Sequence, residues 1–390
     1  MPNHKNGVTV RGVDSLASIP AEAWEACAGT ANPFVSYAFL RALEDSRCTT
    51  EETGWTPSHL VAEDETGAVV ACAPVYLKSH SYGEYVFDWS WAEAWQNAGR
   101  RYYPKLQCAV PFTPVTGPRL LVRPDIPYEA LAPALGQVME ELAERAELSS
   151  IHMTFAPEEQ ARMLAEQGWL LRLGEQYHWH NQNYASFDDF LATLASRKRK
   201  AIRKERESVA ASGLVLKTLQ GAEITEAHWD AFFRFYMHTA SRKWGHPYLN
   251  REFFSRLGEA MGDRVVLMYA ERNGKPFAGA LNLVGSDTIF GRNWGALGEV
   301  PFLHFELCYY RAIDFAIERG LAKVEAGAQG EHKISRGYLP VPTFSAHWIR
   351  EAPFKKAVSR FLEAERTMIA QNIEEETEAG PYRHVQEEIE

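Results

Sequence analysis

Long apolar runs are missing from this 390-residue chain: no segment approaches the roughly 18 consecutive apolar residues that a membrane-spanning helix needs. The first residues, MPNHKNGVTVRGVDS, hold no apolar stretch of signal-peptide length, so the expectation is a cytoplasmic protein without a membrane span. Cysteine is sparse as well. The five thiols at 27, 48, 72, 108 and 308 lie far apart and form no Cys-x-x-Cys, which excludes a disulfide framework and fits a reducing compartment. Positive charge is in deficit, and the formal net charge of −10 argues against nucleic-acid binding over the whole surface while leaving room for a local basic patch. Low-complexity sequence is excluded for most of the chain, because 46% hydrophobic and 12% aromatic residues are enough to bury sizeable cores. The acidic tail after Gln371 reads as a solvated end.

A chain of this length exceeds one ordinary core, and we expect two domains, 1–180 and 181–390. Strands and helices alternate along both. HLVAEDETGAVVACAPVYL reads as a strand, a Gly turn and a strand, EYVFDW as a further strand, and YEALAPALGQVMEELAER as an amphipathic helix followed by the strand SSIHMTFAP. Ser186 is placed to cap a helix over SFDDFLATLASRKRKAIRKERESVAASG, with Gly168 and Gly213 as helix stops. The halves echo each other: LVAEDETGAVVACAPVYL matches LMYAERNGKPFAGALNLV, and VFDWSWA from Val86 matches IFGRNWG from Ile289. Each match is followed by a long helix, a strand and a Gly-aromatic pair, so the pattern is a duplicated α/β unit with a mixed, mostly antiparallel sheet.

That order of elements resembles the N-acetyltransferase (GNAT) fold, and its duplication resembles the FemAB/FemX-like aminoacyl transferases of peptidoglycan synthesis. The likeness is carried by LASRKRKAIRKERESVAASGLVLK, FYMHTASRKWGHPYLNREFFSRL and GEHKISRGYLPVPTFSAHW, and extends over roughly residues 8 to 365. The resemblance implies transfer of an acyl or aminoacyl group to an amine, in a cleft between domains, with acyl-CoA or aminoacyl-tRNA as co-substrate and no tightly bound cofactor. The run closest to a coenzyme A loop, Arg292-Asn-Trp-Gly295-Ala-Leu297, departs from the usual pattern at its last position.

The stretch EAGAQGEHKISRGYLP gathers ionisable groups on glycines after a predicted strand, a place where ligands collect. The resemblance puts an oxyanion-stabilising lysine in this loop, matched by Lys333; a surface ion pair with Glu331 is the plain alternative. Glu325 and His332 are candidates to handle the amine proton, and Gln329, Arg336 and Tyr338 to bind substrate, while an ion pair of Glu325 with Arg336 or Lys333 would merely order the loop. Arg292 could clamp a phosphate, with Asn293 and Trp294 beside it. In the first half Asp88, Trp89 and Arg119 are candidates for the acceptor, and Lys243 for the rim of the cleft. The basic run at 197–206 would steer tRNA or another phosphate-rich donor, or is simply a solvated helix face. His178 and His180 lack a third ligand at metal spacing, so no metal is expected. Cys308 sits mid-helix without an evident base, which disfavours a covalent intermediate. These readings converge on an N-acyltransferase acting on a small-molecule or peptide amine, with a peptidoglycan precursor as one candidate. A non-catalytic protein that binds cell-wall precursor peptides is the alternative.

Overall fold

A computed structural model describes residues 3–5, 7–243, 247–327 and 330–383. Two compact units emerge. The first comprises Met1–Gly174, Tyr248–Ala260 and Pro342–Ala370, and the second Glu175–Pro247, Met261–Val341 and Gln371–Glu390, so their segments interleave where the sequence suggested a single boundary at 180.

In chain order the elements run β1 (Asn3–Lys5), β2 (Val8–Val13), α1 (Ala21–Ala28), α2 (Tyr37–Asp45), β3 (Trp55–Pro57), β4 (His59–Glu63), β5 (Val69–Ala73), β6 (Val75–Lys78), α3 (Trp89–Asn97), β7 (Lys105–Cys108), β8 (Leu121–Val122), α4 (Tyr128–Arg145), β9 (Ser150–Ala156), α5 (Glu158–Glu166) and β10 (Leu170–His180). They continue with α6 (Phe187–Thr193), α7 (Ser196–Ala210), β11 (Leu214–Gln220), α8 (Glu226–Lys243), α9 (Arg251–Met261), β12 (Val265–Arg272), β13 (Lys275–Val284), β14 (Thr288–Ala296), α10 (Leu303–Phe305), a π-helical turn (Glu306–Tyr310), α11 (Arg311–Glu318), β15 (Lys323–Glu325), a 3-10 turn (Glu331–Arg336), β16 (Leu339–Ile349) and α12 (Ala352–Glu378).

The first unit holds an antiparallel sheet in the order β1-β2-β4-β5-β8 and a second ladder in which β3, β6 and β7 are antiparallel neighbours. There β7 runs parallel to β9, and β9 antiparallel to β16. Its core packs Leu60, Val70, Leu106 and Ile151 against Leu135 and Met139 of α4. The second unit pairs β11, β12, β13 and β14 in antiparallel order, then β14 parallel to β15 and β15 antiparallel to β10. Met268, Ala280 and Ile289 of that sheet bury against Leu307, Tyr310 and Ile313 of the crossover helix.

Each unit thus repeats one plan, antiparallel strands followed by a crossover helix and a parallel strand. The expected duplicated α/β architecture, each unit a mixed and mostly antiparallel sheet, is the one observed. One register in the expected match is corrected: EYVFDW is not a strand. Residues 79–88 form a loop, α3 starts at Trp89, and the strand that pairs in parallel with β9 across the crossover is β7, with the short β8 lying between β7 and α4. Aromatic density mimicked a strand, but Trp91, Ala92 and Trp95 are spaced to bury one face of a helix. Ser186 caps α6 as expected, accepting from Asp189 N at 3.1 Å, although that helix breaks at Leu194 before α7 begins.

Candidate functional site

In the second unit the ladder of β13 with β14 slips between Leu281 and Asn282, which puts Asn282 opposite Gly291. Asn282 is fully buried; its Nδ2 donates to Ala280 O at 3.1 Å, and its Oδ1 meets no donor among the described residues. A buried acceptor left open costs stability, so its retention points to a ligand. It borders a cavity of about 80 Å³ with Gly291, Arg292, Cys308 and Tyr309. A larger cavity of about 570 Å³ has His238, Glu299 and Pro301 on its wall, and Trp294 and His304 line both. Arg292 and Asn293, two of the sequence-predicted residues, stand on the small cavity and Trp294 on both. The run Arg292–Leu297 does not form a phosphate loop. It lies in or next to β14, with Gly295 in register with Gly279 and Leu297 N donating to Phe277 O at 2.9 Å.

The loop after β15 turns on glycines: Gly327, Gly330 and Gly337 have φ of 82°, 119° and 93°. Between them the 3-10 turn buries Lys333, which is 1% exposed and donates from Nζ to Gly327 O at 2.6 Å. Burial pulls its pKa down to about 7, against a smaller upward pull from neighbouring Cys308. His332, exposed, meets Tyr309 Oη through Nε2 at 2.8 Å, and Tyr338 Oη, buried, donates to Tyr309 O at 3.3 Å. The turn is thereby fastened to the π-helical segment. Arg336 is committed within the protein: its guanidinium donates to both oxygens of Glu205 at 2.8 and 3.2 Å and to His332 O at 2.7 Å, and stacks on Phe305. At the end of β15, Glu325 is buried, 2.8 Å from Lys323 Nζ, and burial raises its pKa. The expected pairing of Glu325 with Arg336 or Lys333 is replaced by this neighbouring lysine. Gln329 and the side chain of Lys243 lie outside the described residues.

The first-unit candidates occupy a different environment. Asp88 is buried with Lys105 Nζ at 2.5 Å and Tyr102 Oη at 2.6 Å; burial alone would raise its pKa, but Lys105 holds it well below the carboxylate range. Glu84 joins the same lysine at 2.7 Å. Trp89 is exposed, edge-on to Tyr82 with ring centroids 4.9 Å apart. Arg119 is buried and gives its guanidinium donors to the carbonyls of Thr154, Gly117, Pro118 and Val115, so it holds a loop. On α7, Arg206 binds Glu306 and Asp314, while Arg197, Lys200 and Lys204 are exposed. Glu306 has Arg206 as its nearer partner at 3.1 Å and Arg311 at 3.7 Å.

Asn282 and Tyr309 escaped the sequence reading. One polar residue inside FAGALNLVG was the available signal for Asn282, and a single Asn in an apolar strand does not distinguish a site from a satisfied core amide. Among the described residues no group of three or more His, Cys, Asp or Glu is arranged to hold a metal ion, and no helix is long and apolar enough to cross a membrane.

A family model described as FemAB-like, peptidoglycan biosynthesis/recognition, matches residues 15–384. No curated protein matches the sequence. Among solved structures, the C-terminal DUF2156 domain of an Agrobacterium fabrum protein is similar with a TM-score of 0.54 at 11% identity, covering 88% of this chain and 96% of that one. FemX is similar with a TM-score of 0.53 at 11% identity over 87% of this chain and 97% of its own. L-PGS from Bacillus licheniformis gives 0.50 at 10% identity, covering 85% of this chain and 98% of that one. At such identities these likenesses establish the fold.

Proposed function

Because the chain belongs to the FemAB-like family of peptidoglycan biosynthesis and recognition, we propose that its second unit transfers an acyl or aminoacyl group from an activated donor to an amine. The observation that carries this reading is Lys333, a buried ammonium held by one backbone carbonyl on a glycine-pinned turn beyond the parallel strand. Attack of an amine on a carbonyl develops an oxyanion, and a fixed cation in a water-poor setting stabilises that charge more than water does. Arg292 and Asn282 line the small cavity of the same unit, Arg292 toward an anionic part of the donor and Asn282 Oδ1 toward an N–H or O–H of the bound group. His332, exposed and anchored through Tyr309, accepts the proton the amine loses, while Glu325 with Lys323 orders the end of β15.

The donor is acyl-CoA or aminoacyl-tRNA, with the exposed cations of α7 available to the latter, and the acceptor is an amine of a peptidoglycan precursor. Purified protein offered acetyl-CoA or alanyl-tRNA together with amine-bearing stem peptides is expected to yield an acylated peptide detectable by mass. Absence of transfer from both donors, with the peptide still retained by the protein, would favour the binding-protein alternative.

A further inference from the structure

We propose that α12 is a self-association face, on which a second copy of this chain docks helix against helix in antiparallel order. One side of α12 belongs to the fold. Val358 and Leu362 are buried with Trp91, Trp95 and Ile349, Arg366 donates to Leu171 O at 2.6 Å, and Arg172 holds Glu365 at 2.7 Å. The other side is apolar as well. Ala357, Phe361, Ala364 and Met368 recur at alternating steps of four and three residues, the spacing of the seam positions in a coiled-coil heptad, and all of them are exposed. Phe361 is 47% and Met368 58% exposed. The apolar surface continues beyond the helix: the Arg172 that holds Glu365 also donates to Phe87 O at 2.8 Å, and the Phe87 ring is exposed. A helix that packs only on its own core keeps its far side polar, so an apolar stripe on the solvent side calls for a second partner.

Charge indicates what that partner is. α12 is basic at its start, with Lys355, Lys356 and Arg360, and acidic at its end, with Glu374, Glu375, Glu376 and Glu378. Its first turn holds no acid and its last turn no base, the reverse of what the helix dipole favours, so the pattern does not serve the helix by itself. Lys356, Arg360, Glu374, Glu375 and Glu378 are exposed. Two copies side by side in parallel would set like charges together at both ends. An antiparallel pair about a two-fold axis sets the basic half of each helix against the acidic half of the other, and opposes the two dipoles. Arg360 and Glu374 stand two heptads apart on the same edge of the stripe, so the axis brings Arg360 of one copy to Glu374 of the other, twice. In that register Met368 of each copy lies over Ala364 of the other, a long side chain over a small one. Anionic lipid would meet the acidic end with repulsion, and a partner of uniform charge would match one half of the helix only; a second copy matches both.

Sedimentation velocity of the full chain between roughly 1 and 100 µM, where small interfaces associate, is expected to show monomer giving way to dimer, with the transition moved to higher concentration by added salt. Phe361→Glu is expected to weaken the dimer about thirtyfold or more, while melting like the parent at a concentration where the parent is monomeric. Arg360→Glu and Glu374→Arg are each expected to weaken it, and the two combined in one chain to restore it, a rescue that misfolding cannot produce. A parent that stays monomeric throughout the range overturns the proposal. So does a dimer that is indifferent to Phe361→Glu and to both charge reversals. A monomer that floats with phosphatidylglycerol vesicles and is released by Phe361→Glu assigns the stripe to lipid and overturns the second copy. None of these outcomes depends on acyl transfer.

Discussion

Lys333 holds its ammonium where water does not reach, and the fold is weaker for it. Its pKa of about 7 lies well below the ordinary lysine value, so between the two the unfolded chain carries a proton that the folded chain has released. Stability from this group is therefore complete above about pH 10 and is lost as pH falls toward 7. A side chain kept at such a cost is better explained by chemistry than by packing. Asn282 makes the same argument with a neutral group: replacing it by Leu removes the open acceptor, so the melting temperature is expected to change little while kcat/KM for transfer falls about tenfold, a split that a purely structural amide would not show. The glycine-punctuated run around Lys333 made it legible in the sequence. Arg336 and Arg119 looked equally available there, because their partners Glu205 and the Val115–Pro118 and Thr154 carbonyls are assigned only by folding.

At the scale of elements, the cavity wall depends on how closely β14 approaches α8. Gly295 permits that approach: a Cβ there would collide with the backbone carbonyl of Phe235. Gly295→Ala is expected to destabilise the protein by about 1–3 kcal/mol in urea unfolding, with a loss of transfer as β14 is pushed from the helix; a midpoint unchanged from the parent would show that the two elements have slack. Periodicity found α4, the helical stretch capped by Ser186 and the strands of the β12–β14 meander, because alternation and 3.6-residue spacing are local properties. It failed at Trp89–Asn97, where aromatic propensity outweighed spacing, and it could not foresee the π-helical turn, which depends on how Leu307 and Tyr310 meet the sheet.

At the scale of the molecule, duplication gives two units of one plan with different interiors. In the first, β7, the strand parallel to β9, carries Lys105 into a closed set of Asp88, Glu84 and Tyr102, beside an imidazole pair, His152 and His347, whose Nδ1 atoms are 2.7 Å apart. In the second, the corresponding region opens onto cavities. Burial, aided by Lys105, holds His152 near pKa 3 and His347 well below its usual value, so both imidazoles are neutral in the fold and charged when unfolded at mildly acid pH. Their stability contribution is full above about 6.5 and lost as pH falls. A His152→Gln/His347→Gln protein is therefore expected to lose less unfolding free energy than the parent between pH 6.5 and 4, by up to about 1.4 kcal/mol per pH unit per imidazole; parallel curves would show that the pair does not titrate with unfolding. The central claim, that the second unit is a transferase centred on Lys333, is tested most directly by the rate of acyl transfer to an amine-bearing stem peptide by Lys333→Ala beside the parent. A fall of about a hundredfold or more with the fold intact is the expected result; a rate within about threefold of the parent would contradict it.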